Sequence, residues 1–159
     1  MFDFVNNLPH WLATTIIAMT PFVEIRASIP IALGVYKMSL LPALFFSILG
    51  DMIPALLILL FVGKASSFLR QHSRHMEKFF SWWFVNVEKK FSKDMARYGL
   101  MALFIFVAVP MPGTGSWSGA AAAVLFGLPI FPSLVSILGG VIVTAGLITG
   151  ASLGILAFL

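Results

Sequence analysis

The chain has 159 residues, 60% hydrophobic and 10% charged, with a mean hydropathy of +1.01. A soluble domain of this length cannot hide so much apolar surface, because much of its exterior must face water; the expectation is an all-α integral membrane protein. The net charge is +4 and there is no cysteine, which excludes a disulfide framework and a thiolate metal site.

Residues 1–11 read as an interfacial lead-in, with His10 and Trp11 suited to headgroup depth. The first Lys or Arg is Arg26, so the basic start of a cleavable signal is missing. Trp11–Met19 is a short apolar run. At about 1.5 Å per residue it reaches only about half of a ~30 Å hydrocarbon core. The stretch Met19–Pro30, MTPFVEIRASIP, follows. It sets a carboxylate, Glu24, close to a guanidinium, Arg26, between Pro21 and Pro30. A second short run, Ala27–Val35, comes next.

Leu40–Gly63 is long enough to cross a bilayer. It carries Asp51 near its middle, and its Pro42 and Pro54 are tolerable in a membrane helix. Lys64–Arg97 then holds eight of the ten basic residues: Lys64, Arg70, Arg74, Lys78, Lys89, Lys90, Lys93 and Arg97. Its apolar residues, among them Phe68, Met76, Phe80, Trp83 and Val87, recur at spacings of three and four. The pattern predicts a basic amphipathic linker helix on the membrane surface. Between two hydrophobic blocks it marks a cytoplasmic loop and not a nucleic-acid surface. His72 and His75 lie three apart without a third ligand nearby, so no metal is expected there.

Beyond the linker, Leu100–Val109 is again short. It ends at Pro110 and leads through Met111-Pro112-Gly113-Thr114-Gly115-Ser116-Trp117-Ser118-Gly119 into Ala120–Leu128. Ile130–Leu159 is the second full span. A shift of 89 positions lays Pro21 on Pro110 and Ser47-Ile48-Leu49-Gly50 on Ser136-Ile137-Leu138-Gly139, and it pairs Asp51 with Gly140. Weak internal symmetry of this kind is a transporter signature. The expected architecture is one membrane domain over residues 1–159, with half one at 10–63, the linker at 64–97 and half two at 98–159. Each half is a re-entrant helical hairpin plus one transmembrane helix, or else one span with an unwound centre. A single net crossing per half makes the repeat inverted, with the linker cytoplasmic and both termini extracytoplasmic.

Ionisable groups at membrane depth cost several kcal/mol and are seldom idle. Glu24 and Arg26 fall at the first hairpin tip, where a returning half-helix from Ala27 offers its positive end to an anion beside Arg26. Pro30 would sit in that helix's first turn. Glu24 either holds Arg26 or carries a proton; alternatively the pair is a structural clasp. The second tip is uncharged. Pro110, Pro112, Gly113, Thr114, Gly115 and Ser116 supply backbone amides, hydroxyls and tight turning. Its glycines serve either ligand approach or close packing of the hairpins. Asp51 joins the site through Arg26 or a proton, or is simply hydrogen-bonded. Gly146, Gly150 and Gly154 form a small-residue ladder that lets another helix approach, from the same chain or from a second copy.

PFVEIRASIPIALG and PMPGTGSWSGAAAAVLFG, with a basic linker between them and a span after each, resemble the small multidrug export family across nearly the whole chain. That family is similar to the DedA (VTT-domain) membrane proteins. The resemblance implies paired re-entrant hairpins in an inverted repeat, a role in moving something across a bacterial or archaeal cytoplasmic membrane, and a possible lipid-carrier phosphate substrate. Two departures stand out: Asp51 replaces an expected asparagine, and the second motif lacks the arginine of DedA proteins.

The function expected is secondary transport of an amphiphilic or lipid-linked substrate, anionic and phosphate-bearing if Arg26 reads it, with protons as a coupling ion. Export of a cationic amphiphile through Glu24 and Asp51 is the alternative. A non-transporting scaffold or assembly factor is a third reading. No nucleophile–base pair stands out, so an enzyme is not expected. Neither is a cofactor, a metal or a nucleic-acid partner. Membrane lipids and a second copy of the chain are the expected partners.

Overall fold

A computed structural model describes residues 8–21, 23–62, 99–111 and 113–158. The linker helix expected over 64–97, with His72 and His75, lies outside these residues. The described residues are helical: α1 (His10–Ala18), α2 (Glu24–Pro30) running into a π-helical turn (Ile31–Val35), α3 (Leu40–Leu57) with a second π-helical turn (Ile58–Val62), α4 (Leu100–Ala108), α5 (Ser116–Leu125) and α6 (Ile130–Phe158). Two helices are long and apolar enough to span a membrane, Leu40–Phe61 and Ile130–Gly154.

The spans bury their polar side chains among small and apolar ones and turn large apolar side chains outward. α3 turns Ser47 and Asp51 inward, and α6 turns Ser133, Thr144 and Thr149 inward. Phe45, Leu49, Leu57, Phe61, Phe131, Val135, Ile142 and Leu147 face out. A soluble helix does the reverse, so this chain is a membrane protein.

Each long helix follows a short helical hairpin and packs on its first arm. Trp11 lies against Phe46, with ring centroids 5.6 Å apart. Further along, Gly50 faces the Thr15 carbonyl and Ala18. α1 and α3 therefore run side by side in one direction. The second set repeats this: Gly139 faces Phe104 and Gly140 faces Val107. The Thr144 hydroxyl donates to the Val107 and Ala108 carbonyls at 2.8 and 3.0 Å. The first hairpin closes on itself, since His10 stacks on Tyr36 at 4.9 Å. α1 and α4 have nine residues each, about 14 Å at ~1.5 Å per residue, so each tip comes level with the middle of its long helix.

The buried faces of the long helices superpose at a shift of 90 rather than 89. Ala43, Ser47, Gly50, Asp51, Pro54 and Ala55 correspond to Ser133, Ile137, Gly140, Val141, Thr144 and Ala145. The shared SILG tetrapeptide is thus one residue out of register, and Asp51 corresponds to Val141 rather than Gly140. Packing decides this. Gly50 and Gly140 are the positions where a Cβ meets a carbonyl of the neighbouring short helix.

Candidate functional site

The first tip forms because Pro21 cannot continue α1 and disfavours helix in the residue before it. The α1 cap falls at Met19, and Thr20 folds its hydroxyl back onto the Ile17 carbonyl at 2.6 Å. α2 then begins at Glu24, three residues before the expected Ala27, and Glu24 has a φ of +50°. Pro30 is consequently the last residue of α2 and not part of its first turn. Lacking an N–H, it leaves the Arg26 carbonyl without its usual helical donor, and the chain widens into the π-helical turn directly afterwards.

The second tip is a knot tied by Thr114. Val109 takes the extended conformation that a following proline favours (φ −83°, ψ 117°), and Pro110 is exposed. The Thr114 N–H donates to the Met111 carbonyl, and Gly113 sits at φ +79° in the turn between them. The Thr114 hydroxyl lies 2.6 Å from the Val109 carbonyl, 2.8 Å from the Met111 carbonyl and 3.1 Å from the Met111 N–H. Pro112 lies outside the described residues.

These tips meet, and each supplies what the other lacks. Arg26 donates through Nη2 to the Thr114 carbonyl and, at 3.1 Å, to the Thr114 hydroxyl. Its Nε is buried and has no hydrogen-bond partner among the described residues. The Glu24 carboxylate accepts from the backbone N–H of Trp117, in the first turn of α5. Ser116 donates to Asp51 Oδ1 at 2.9 Å, with the Asp51 carbonyl at 3.1 Å. So the α5 terminus receives a carboxylate of the chain itself, Glu24. Glu24 and Arg26 still attract one another electrostatically, and each also finds a partner in tip two. Asp51 is hydrogen-bonded by Ser116 and feels the Arg26 charge.

A small pocket lies where these groups converge. Glu24, Arg26, Asp51, Gly115 and Ser116 line its polar side, and Ile25, Val107, Val141 and Thr144 complete it. It holds no void large enough for a water molecule, so the tips are closed on one another. Among the described residues no three His, Asp or Glu side chains come together as a metal site. The sequence put Glu24, Arg26, Asp51, Pro110, Pro112, Gly113, Thr114, Gly115 and Ser116 in one site; the fold brings Glu24, Arg26, Asp51, Thr114, Gly115 and Ser116 together, and leaves Pro110 and Gly113 exposed and off the pocket wall. Sequence reasoning missed Thr144 and the Trp117 amide. A hydroxyl in the middle of an apolar span was the available signal for Thr144. The amide carries no side-chain signature.

Gly146, Gly150 and Gly154 have nothing within 4 Å among the described residues. The ladder does not receive either hairpin of the described chain.

A family model described as "putative small multi-drug export protein" matches residues 24–148. The match takes in Glu24 and Arg26 of tip one, all of tip two, α3, and α6 as far as Ile148, and the chain belongs to this family. No curated protein and no solved structure matches the chain.

Proposed function

We propose that this chain is a small secondary transporter whose substrate site is the meeting point of its two tips. One observation carries the reading. Glu24, Arg26 and Asp51 converge level with the middle of the spanning helices, drawn from separate elements, where ionisable groups are costly and usually functional. A buried ion pair is a poor stabiliser compared with apolar packing, so stability alone is a weak reason for three of them.

The architecture we propose is an inverted repeat of re-entrant hairpins, distantly akin to the DedA proteins. Its support is directional. α5 starts beside Asp51 through Ser116 and runs on past the 58–62 turn, which it also contacts; it therefore travels with α3. α4 and α6 run against α5, so the second half opposes the first. With the basic linker cytoplasmic, both termini face outward. Single cysteines at Ser73 and near Leu159 should then be labelled from opposite sides of intact cells. Labelling from one side would end the inverted topology.

The substrate we propose is an amphiphile with an anionic, phosphate-like head. Among the described residues, the Arg26 Nε has no partner and its hydrogen bonds go to neutral oxygens, which an anion can outcompete. If all three groups are ionised, Glu24 and Asp51 exceed Arg26 by one negative charge; a proton is the simplest balance and the proposed coupling ion. Cationic export would use that same excess. The closed pocket favours a second reading, a structural clasp in a scaffold protein, because transport requires the tips to part.

Uptake into proteoliposomes separates these. NBD-labelled phosphatidate should enter faster than in protein-free vesicles, and tetraphenylphosphonium should not. The reverse result would favour cation export, and no uptake of either would favour the scaffold.

A further inference from the structure

We infer that Gly115 and Glu24 form a keyhole latch that locks the two tips together and keeps the pocket shut. Glycine at 115 is not demanded by its own backbone. Its φ of 169° and ψ of −171° are extended and open to any residue. Gly113, at φ +79°, differs in this respect. What a side chain at 115 would have to displace is Glu24, since a Cβ built there collides with both carboxylate oxygens and with Cδ at 2.6 Å. The carboxylate fills the volume of the missing side chain, and in that position it accepts the Trp117 N–H.

The key is also under strain at its root. Glu24 holds φ +50°, a left-handed conformation that L residues rarely adopt. Its own N–H is tied back to the Thr20 carbonyl at 3.2 Å. An uncommon backbone conformation at a buried carboxylate marks a position that the surroundings over-determine. Withdrawing the carboxylate from the keyhole frees Glu24 to relax and exposes the Trp117 amide. Two more links hold tip two, Arg26 of tip one to Thr114 and Asp51 of α3 to Ser116. Both lie beside the keyhole, so the three let go as the tips part. The latch deepens the transport reading, on which its purpose rests, by naming the contact that must release for the pocket to open.

Opening can be read without transport. The chain has no cysteine, so a single Val141→Cys on the pocket wall, a position 1% exposed, reports access by its rate of maleimide labelling in nanodiscs. Labelling should be slow in the Val141→Cys parent. Adding Gly115→Ala should speed it about tenfold, as expected when one hydrogen bond to a charged group is lost from the closed state. Glu24→Ala should do the same. Combining the two should match the faster single variant within about twofold, because the Cβ then has nothing left to displace. Parent-rate labelling of Gly115→Ala would overturn the latch. So would a full additional factor from Gly115→Ala in the Glu24→Ala background. If Gly115→Ala does not fold, the same cycle is read by thermal unfolding: Glu24→Ala must restore folding to Gly115→Ala, and a double variant that stays unfolded overturns the latch. Failure of the latch leaves the uptake assay to decide transport separately.

Discussion

The two tips occupy corresponding places in the two halves and share almost no chemistry. Tip one carries Glu24 and Arg26; tip two, from Val109 to Ser116, carries no charge at all. Tip one contributes side chains, and tip two answers with backbone: the Thr114 carbonyl for Arg26 and the Trp117 amide for Glu24. In the repeat we propose, the halves keep a common scaffold while their tips become complementary. Two tips each with a carboxylate and a guanidinium would bring four ionisable groups to the middle of the spanning helices. One charged tip facing an amide-rich turn avoids that cost.

The sharpest way to break this complementarity is to reverse it. Glu24→Lys places a cation against the positive end of α5 and beside Arg26. It should destabilise the detergent-solubilised protein by about 3–5 kcal/mol, the scale of an uncompensated buried charge, read as a fall in thermal unfolding temperature. A change below that of a surface variant would mean that Glu24 is not seated on α5. Thr114→Val tests the receiving side. It keeps the shape but removes the hydroxyl that serves Val109, Met111 and Arg26, and should cost about 1–3 kcal/mol. Thr114→Ser, which keeps the hydroxyl, should recover most of that loss.

Gly113→Ala sharpens the contrast between the tip's two glycines. It should cost about 1–2 kcal/mol for a left-handed alanine, and by the same amount with or without Glu24. Dependence on Glu24 would put the keyhole at the wrong glycine. The smallest effect belongs to the ladder. Gly150→Ala meets nothing within 4 Å and should shift thermal stability by less than about 0.5 kcal/mol. If the ladder is a dimer seam, Gly150→Leu should move the solubilised protein toward monomer.

Much of the fold was legible because membrane physics writes it plainly. Apolar runs too short to span, each ended by a proline, marked α1 and α4; long runs marked α3 and α6. The charged residues of tip one stood out against oil. Register did not, because apolar sequence is permissive enough for SILG to recur one residue away from its structural equivalent. Only the close packing at Gly50 and Gly140 corrects it. The start of α2 was misplaced by three residues because Glu24 begins the helix from a left-handed conformation, which no propensity anticipates. The role of Gly115 was open for a related reason: a glycine's use depends on what stands opposite, and here Glu24 lies far away in sequence.

The central claim is that the charges of tip one work on a substrate and do more than hold the tips together. The direct test is uptake of NBD-labelled phosphatidate by proteoliposomes holding equal amounts of folded parent, Arg26→Ala or Glu24→Gln protein, with folding scored by thermal unfolding on the same samples. The account predicts that both variants remain folded, that Arg26→Ala loses uptake by about tenfold or more, as expected when a charge-assisted contact is removed, and that Glu24→Gln alters its dependence on pH. If both variants are merely less stable while their folded fractions take up the probe at the parent rate and with the parent pH dependence, Glu24 and Arg26 are a clasp and the account is wrong.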